Sequence, residues 1–428
     1  MGRLLNTTAA AGLMACALLW PASPALAGSE SGDASDDAQS FLLSVDLRAV
    51  ASDGLPSYLE GGGGKQRFDD NDDGFHVGRI FLDYRGRFTD TLSVHATLNT
   101  YGDDDKNPVD VTEMYLDWKT YPHGGWRWRT KVGAFYPPVS LENRGPGWSS
   151  PYSISASAIN TWFGEEFRTI GAEVSATWLG SQSHGTGDLT LYASLYKWND
   201  DVGLLMSFRG WSLNDRQTPL FGRLPFIPIF FLTPPPNAEF RNGFEFFHEI
   251  DNRIGYYAGA EWKQSNFLTL RATHYDNRAD LSKFEYDFAW LTRYDSLGAR
   301  VELPRDWTLI GQWLSGDTAV GFIPSGVKQY ELDMDSWFLL ASKGFGRHRL
   351  TARYDDFGSD QTMGTGFRNW DAGHAWTFAY LVDFNDSWQV AVESLTIDAM
   401  LTGRVMLGEP VHATEHQVQL AVRYSWRN

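Results

Sequence analysis

Apolar and polar residues alternate with a period of two through several long segments of this chain. In residues 41–49 the odd positions are apolar, whereas the even positions include Ser44, Asp46 and Arg48. The same alternation recurs in residues 92–99, 126–136, 169–178, 254–263 and 417–426. Because successive side chains of a β-strand point to opposite faces, these segments are predicted strands with one uncharged face and one polar or charged face.

The length and the ends of these segments favour a membrane barrel over a soluble sandwich. Each segment runs for about ten residues, and a tilted transmembrane strand needs about 9–11, whereas ordinary strands have about five or six. The apolar faces end in aromatic residues, as the interfacial girdles of outer-membrane barrels require. The chain contains 18 Trp, 18 Tyr, 27 Phe and 42 Gly, which agrees with this class. We therefore predict an all-β fold, a transmembrane antiparallel β-barrel.

Short turns and long polar connections alternate along the chain. The short turns are predicted at 87–90, 121–125, 265–266, 304–306 and 385–387. The long connections are predicted at 52–74, 102–110, 137–167, 199–252, 276–287, 315–328, 356–371 and 397–413. Outer-membrane barrels have short periplasmic turns and long external loops, so the pattern predicts about sixteen strands with both termini in the periplasm. Ambiguity around 286–300 and 329–342 leaves this count open by two, and a barrel of this size encloses an aqueous channel.

The first 27 residues are typical of an export signal. Arg3 precedes a short apolar run, and Ala25 and Ala27 form a small-residue cleavage site. A lipoprotein cleavage box that ends at Cys16 is the alternative. Together with the predicted barrel, the signal indicates a Gram-negative envelope protein that is inserted in the outer membrane.

After the signal, the chain is predicted to have one folded domain. Residues 28–40 are acidic and small and are predicted to be a disordered periplasmic lead-in, while residues 41–428 form the barrel. Cys16 is the only cysteine of the chain. The mature protein would therefore have no disulfide, no thiolate metal site and no cysteine nucleophile.

Three cations at alternate positions of one predicted strand are the main candidate for a selectivity element. Arg127, Arg129 and Lys131 project to the same side, and the residues between them are apolar or uncharged. The cations are therefore predicted to face the lumen, where a basic column attracts anions. The alternative is that these charges pair with carboxylates of neighbouring strands and only solvate the wall.

The connection at 137–167 directly follows this strand. A loop of this length without clear elements usually has a function. Folded inward, it would narrow the channel and place four charged residues near the basic column. The predicted pore-lining residues contributed by this loop and its end are Glu142, Arg144, Glu165, Glu166 and Arg168. An ordinary surface loop is the alternative.

A family resemblance adds to this prediction. The segment Val132-Gly-Ala-Phe-Tyr-Pro-Pro-Val-Ser-Leu-Glu142 resembles the strand end and loop start of the phosphate-selective porin O and P family. The resemblance implies a homotrimer of sixteen-stranded barrels, each constricted by its third external loop, and phosphate or another oxyanion as the solute. The family's phosphate path uses clustered lysines and arginines, whereas residues 137–167 contain one base, Arg144, beside three glutamates. The identity of the solute therefore stays open.

Two external segments carry further candidate chemistry. Asp69, Asn71 and Asp73 match the start of a calcium loop, but position twelve is Ile80 and not Glu, which excludes an EF-hand. A divalent ion that bridges this loop to anionic lipopolysaccharide and a solvated acidic tip are the two alternatives. Residues 221–236 are apolar and rich in proline, and could cover the pore mouth, contact a neighbouring subunit or bind an apolar ligand.

Composition and motifs limit the class of function. The net charge of −17 disfavours nucleic acid as a partner. The sequence has no histidine pair with zinc spacing and no G-x-S-x-G motif, so neither an enzyme nor a cofactor is predicted. The predicted function is an outer-membrane porin for passive diffusion of small polar solutes, in contact with lipopolysaccharide and membrane lipid. A substrate-specific channel or a ligand-binding, adhesin-like barrel is the alternative.

Overall fold

The described residues form a closed antiparallel barrel of sixteen strands. The computed structural model describes residues 39–102, 109–183, 185, 187–224, 246–285, 287–364 and 368–428. Each barrel strand pairs with the strands before and after it, and the first strand closes the barrel on the last. The predicted fold class is thereby confirmed. The predicted signal, and the lead-in up to residue 38, lie outside the described residues.

The elements follow one another in an up-and-down order. The barrel strands are β1 (Gln39–Ser52), β2 (Gly74–Arg87), β3 (Leu92–Thr100), β4 (Asp110–Lys119), β5 (Trp126–Phe135), β6 (Thr169–Trp178), β7 (Asp188–Lys197), β8 (Gly255–Gln264), β9 (Leu268–Asp276), β12 (Leu291–Leu303), β13 (Trp307–Gly321), β14 (Lys328–Phe345), β15 (His348–Met363), β16 (Trp370–Asp383), β17 (Trp388–Leu401) and β18 (His412–Arg427). Between β9 and β12, β10 (Phe284–Glu285) and β11 (Asp287–Phe288) form a small hairpin. The helices are α1 (Ala158–Glu166), α2 (Gly180–Ser183) and α3 (Leu204–Arg209), with short 3-10 turns at Tyr58–Glu60, Pro146–Trp148 and Thr402–Leu407.

The barrel wall is taller on one side than on the other. Strands β3 to β9 have 9 or 10 residues, whereas β12 to β18 have 13 to 18. The predicted connections at 315–328 and 356–371 were therefore too long, because β13, β14 and β15 continue through much of them. Outward-facing aspartates such as Asp317 and Asp333, which pair across β13 and β14, interrupted the apolar pattern that marked the other strands.

The first strand also begins earlier than predicted. Gln39 and Ser40, assigned from sequence to the lead-in, pair with Gly86 and Arg85 of β2. The two ambiguous regions are resolved as parts of β12 and β14. The count of about sixteen strands is thus confirmed.

Two rows of outward-facing aromatic residues border the apolar outer wall. Trp118, Trp126 and Trp426 lie beside short turns or the C-terminus and are exposed on the outer face. Trp313 and Trp337 pair with each other in the middle of β13 and β14 and form part of the second row. Such rows are expected at the two membrane interfaces of a barrel. None of the helices among the described residues is long and apolar enough to cross a membrane.

The largest buried cluster lies inside the barrel, where loops pack against the lumen wall. Three inward segments, residues 54–69, 137–167 and 199–217, consist mainly of buried residues. Close packing is shown at Gly298 of β12, where an added Cβ would lie 2.7 Å from the Cδ1 atom of Leu141. The predicted inward fold of the 137–167 loop is confirmed, and the other two segments join it.

Candidate functional site: the charged lining of the barrel

The basic column on β5 changes in exposure along its length. Lys131 pairs with Glu173 of β6 at 3.1 Å, and 13% of its side chain is exposed. Arg129 pairs with Asp117 of β4 at 2.7 Å, and its side chain is 37% exposed. Arg127, next to the short turn at 121–125, is exposed and forms no ion pair with any residue that the structure describes. Pairing across strands therefore accounts for two of the three cations but not for Arg127.

A fourth cation extends this basic surface. Lys119, at the end of β4, lies 3.1 Å from the carboxylate of Asp117, which Arg129 also contacts. One carboxylate is thus shared by two half-exposed cations. Arg129 sits directly opposite Lys119 in the register of β4 and β5, which explains why both reach the same acid. This part of the wall keeps an excess of positive charge.

Five further cations on the lumen wall have acidic neighbours among the described residues. Arg85 contacts Asp83, Arg271 contacts Glu261, Arg300 contacts Glu302, Arg349 contacts Asp306 and Arg423 contacts Asp46. Their inward orientation matches the alternation in the sequence. Each of these cations has a carboxylate beside it, whereas Arg127 has none among the described residues.

The 137–167 loop crosses the lumen and contacts strands on several sides. Ser140 accepts a hydrogen bond of 2.8 Å through its backbone carbonyl from Arg271 of β9. The backbone N–H of Ile154 donates to Glu393 of β17 at 2.6 Å. Helix α1 begins after Ser157, whose hydroxyl accepts from the Asn160 N–H and caps the helix. These contacts hold the loop across the barrel lumen, so the loop does not lie on the rim.

Glu142 binds an arginine on the far wall. Its carboxylate lies 2.6 Å from Arg353 of β15, and both side chains are fully buried. Arg353 also contacts Asp355 at 2.8 Å and donates to the backbone carbonyls of Ser155 and Ala156. The cation is enclosed by acceptors from the wall and from the loop. Arg353 therefore anchors the loop at a position of the wall that would be exposed to water in an open pore.

Glu165 and Glu166 join α1 to the next inward segment. Glu165 binds Arg209 at 2.6 Å, and Glu166 accepts the backbone N–H of Leu205 at 2.6 Å. Burial raises the pKa of Glu166 to about 7. The expectation that Glu142, Glu165 and Glu166 approach the β5 column was wrong. Their contacts are with Arg353, Arg209 and the start of α3, because the loop extends across the barrel.

Arg168 and Arg144 lie in different surroundings. Arg168 is buried, donates to the Thr112 and Thr218 carbonyls at 2.7 and 2.8 Å, and has its guanidinium 3.6 Å from the Tyr136 ring centre. Burial lowers its pKa. Arg144 is half-buried, and its backbone N–H donates to the Glu142 carbonyl. Arg168 therefore fastens the end of the loop to β4.

Sequence reasoning missed the inward segment at 199–217. Trp211 donates through its backbone N–H to Asp371 of β16 at 2.8 Å, and the same carboxylate binds Lys65 at 2.7 Å. Asp215 binds Arg48 of β1. The signal in the sequence is weak, since it consists of charged and aromatic residues scattered through a long connection.

The proposed calcium-loop residues are engaged with the backbone of their own loop. Asp69 accepts from the N–H groups of Ser57 and Asn71, both at 2.8 Å. Asp73 accepts from the Ser52 N–H at 2.9 Å. These bonds give the carboxylates a structural role in the 52–74 connection.

A separate acidic group lies in the connection between β7 and β8. One carboxylate oxygen from each of Asp200, Glu249 and Asp251 lies within 4.8 Å of the others. Burial, together with the charges of Asp251 and Glu249, raises the pKa of Asp200 to about 7. Asp200 also accepts a hydrogen bond of 2.6 Å from the N–H of Ile250, and so links the start and the end of the connection between β7 and β8.

The proline-rich segment 221–236 is described only at its start, since residues 225–245 lie outside the described part of the chain. Phe221 is 73% exposed, whereas Leu224 is buried beside Trp290 and Phe246 in a small apolar cluster.

Comparison with known structures supports the barrel fold. No protein-family model and no curated protein matches the chain. The outer membrane channel DcaP of Acinetobacter baumannii is similar in structure, with a TM-score of 0.54 and 10% identity over 91% of this chain and 96% of that chain. A loop L8 deletion mutant of OmpT, an outer membrane protein of Vibrio cholerae, has a TM-score of 0.50 and 11% identity over 91% and 100%. The trimer form of in-vitro folded OmpT gives the same values. At these identities the likeness is one of fold, so the narrower resemblance to porins O and P stays a prediction.

Proposed function

We propose that this protein is a porin-like channel of the bacterial outer membrane that passes small polar solutes by passive diffusion and prefers anions. A barrel of sixteen strands encloses a lumen wide enough for water. DcaP, which shares the fold, is described as an outer membrane channel. The proposal is for a transport function and not for a catalytic one.

The observation that carries the anion preference is the basic surface on β4 and β5. Arg127 is exposed and has no ionic partner among the described residues, while Lys119 and Arg129 share Asp117. A lumen wall with uncompensated cations attracts anions and raises their local concentration. The effect falls with ionic strength, since exposed charges are screened over about 10 Å at 0.1 M salt.

Planar-bilayer recordings test both parts of the proposal. The wild-type protein in a KCl gradient should give stable channels whose reversal potential lies on the chloride side of zero. Changing Arg127, Arg129 and Lys131 together to Ala should shift this potential toward cations. A protein without conductance would refute the channel, and an unchanged reversal potential would refute the role of the column.

A matched control removes the same number of cations from outside the barrel. Arg253, Arg278 and Lys283 lie exposed on external connections. Their joint replacement by Ala changes the net charge as much as the column variant does. It should leave the reversal potential near that of the wild type, so that a local field is separated from total charge.

A substrate-specific channel is the second candidate, and the packing of the lumen favours it. Three inward segments occupy the half of the lumen at the long connections, and the lumen-facing Arg353 is fully buried there. A path narrowed in this way would select among solutes more strongly than an open pore. Current block that depends on the solute, with phosphate compared with chloride, separates this candidate from general diffusion. Binding to the outer surface without any block would favour an adhesin-like barrel.

We also propose a homotrimer in contact with membrane lipid and lipopolysaccharide. OmpT, which shares the fold, is described in a trimer form. The outer wall here carries the two aromatic rows that a lipid bilayer requires. Native mass spectrometry of the protein from detergent should show a threefold mass, and a monomer under all mild detergents would contradict the trimer.

A further inference from the structure

Four cations at the short-turn end of the lumen wall form a basic rim. The basic rim consists of Arg85 on β2, Lys119 on β4, and Arg127 and Arg129 on β5. The side chains of Arg85 and Lys119 are 58% and 52% exposed, and Arg127 is exposed as well. The basic rim is therefore accessible to water from this end of the barrel.

The carboxylates beside the basic rim are fewer than its cations. Asp83 lies 3.3 Å from the rim cation of β2. Asp117 is shared by Lys119 and Arg129, at 3.1 and 2.7 Å. Arg127 has no ion pair with any described residue. Four cations beside two carboxylates leave an excess of positive charge at a water-exposed surface, which favours binding of an anionic partner.

An acidic segment of the same chain is attached at this end of the barrel. The acidic segment, residues 28–38, lies outside the described residues and contains no basic residue. Its acids are Glu30, Asp33, Asp36 and Asp37. The segment leads directly into β1, whose first residue, Gln39, is exposed and lies opposite Gly86, next to the short turn at 87–90. Its point of attachment is therefore at the same end of the barrel as the basic rim.

The strand register gives the distance from this attachment point to the basic rim. Through successive strand pairings, Gln39 lies level with Leu116 of β4 and Val132 of β5. Strands lie about 4.8 Å apart and rise by about 3.4 Å per residue. The path along the wall from Gln39 is therefore about 18 Å to Lys119 and about 25 Å to Arg127.

The acids of the segment are spaced to cover these two distances. Asp33 lies six residues before the start of β1, and Glu30 lies nine residues before it. Extended chains of these lengths span about 20 Å and about 30 Å. Asp33 is therefore within reach of Lys119. Glu30 is within reach of Arg127, the rim cation that has no carboxylate beside it among the described residues.

We infer that the acidic segment docks on the basic rim at the short-turn end of the barrel. A single exposed ion pair contributes little, but four carboxylates on one tether act together, because each contact raises the local concentration of the next. The docked segment occupies the cations that attract anionic solutes, and so weakens the anion preference. The docking itself does not depend on the proposed channel function, whereas its effect on selectivity rests on that function.

Disulfide trapping tests the docking. In a Cys16→Ser background, Ser29→Cys places a thiol beside Glu30, and Thr177→Cys places a second thiol opposite Arg127 on β6. The full chain is folded in detergent at low salt and treated with a mild oxidant. The rate at which the disulfide forms is followed by mass spectrometry of the digested protein.

The matched control pairs Ser29→Cys with Ser425→Cys on β18, the strand that adjoins β1. Ser425 is half-buried, as Thr177 is, and lies nearer to the start of β1 along the wall. A segment without a preferred position would react faster at Ser425. The docked segment should react about tenfold faster at Thr177, because several exposed ion pairs together favour that position.

Charge should control this preference. The neutralised variant carries Glu30→Gln, Asp33→Asn, Asp36→Asn and Asp37→Asn, and should lose the preference for Thr177. Salt at about 1 M, where charges act over only about 3 Å, should have the same effect on the unchanged segment. Equal or faster reaction at Ser425 with the unchanged segment, or a preference that survives neutralisation, would overturn the inference. A purified protein whose mass shows that residues 29–37 have been removed would overturn it as well.

Reversal potentials in planar bilayers measure the effect on selectivity. The neutralised variant should lie further toward chloride than the wild type. The matched control neutralises four exposed acids away from the basic rim, and should stay near the wild type: Asp70→Asn, Glu285→Gln, Asp295→Asn and Asp335→Asn. Trapping with an unchanged reversal potential would overturn the effect on selectivity alone. Trapping without any channel current would refute the proposed function and leave the docking standing.

Discussion

The half of the lumen at the long connections (the loop half) and the half at the short turns (the turn half) use the same residue types in opposite ways. In the loop half, Arg353 is fully buried and contacts Glu142 and Asp355. In the turn half, Arg127 is exposed and has no ionic partner among the described residues. Both lie at lumen-facing positions of a strand. The difference comes from the loops, which cover one half of the wall and leave the other in water.

Burial decides what a charge can do in each half. Removing a cation from water is unfavourable by several kcal/mol, and a nearby carboxylate offsets this only with good geometry and further hydrogen bonds. Buried cations in the loop half therefore act as anchors for loops. Lys65 is a buried cation whose charged form is destabilised by the loss of water. Burial lowers its pKa to about 8 even though the carboxylate of Asp371 lies 2.7 Å from its ammonium group. Exposed cations in the turn half keep their contact with water, as the proposed anion preference requires.

The largest effect is expected at Arg353. Changing it to Met leaves Glu142 and Asp355 buried without their cation, and should lower the free energy of unfolding by about 3–5 kcal/mol. Chemical unfolding in detergent measures this. Arg127→Met is the matched control and should stay within about 0.5 kcal/mol of the wild type, as exposed positions usually do. Similar losses at both positions would remove the contrast between the two halves.

The next effect is a pH dependence at the contact between α1 and α3. The pKa of Glu166 is raised from 4.5 to about 7. Between these two pH values the carboxyl group of Glu166 keeps its proton in the folded protein, whereas the unfolded chain has lost it. The stabilising contribution is complete below about pH 4.5 and is lost as the pH rises to about 7, on the order of 3 kcal/mol in all.

Unfolding temperatures between pH 4.5 and 7.5 check this prediction. Asp200 titrates in the same window, so the wild-type curve contains both groups. Glu166→Gln removes one of them, and its curve should fall less steeply than that of the wild type. Parallel curves would mean that Glu166 is ionised throughout and does not link the two helices in this way.

The smallest effect distinguishes the three column residues. Single changes to Ala should alter the reversal potential most at Arg127, less at Arg129 and least at Lys131, following their exposure and pairing. Paired and partly buried cations contribute little to the field in the lumen, because a carboxylate lies beside them. The reverse order would show that Lys131, near the loop, controls the narrowest part of the path.

Much of the barrel could be predicted from sequence because its pattern is local. The strand around Arg127 shows its inward and outward faces within ten residues. The ion-pair partners of the column residues depend on the register between neighbouring strands, which places Lys131 opposite Glu173. That register cannot be deduced from the sequence of one strand. The upper parts of β13 to β15 were missed because aspartates such as Asp317 face outward above the apolar wall.

The filling of the loop half of the lumen could not be predicted in the same way. Arg48 and Asp215 are 167 residues apart, and nothing local in either segment indicates that they meet. The inward course of 137–167 was predicted from its length and from the family resemblance. The inward course of 199–217 had no comparable signal, since its stabilising contacts reach strands at both ends of the chain.

The contrast between the two halves can be measured with one pair of serine-to-cysteine changes. Cys16 is the only cysteine, so a Cys16→Ser background reports a single new thiol. Ser93 on β3 is half-buried in the turn half, and Ser336 on β14 is fully buried in the loop half. A negatively charged, water-soluble thiol reagent should modify Ser93→Cys rapidly and leave Ser336→Cys protected. Equal rates at the two positions would contradict a lumen that is open to water on one side and filled by loops on the other.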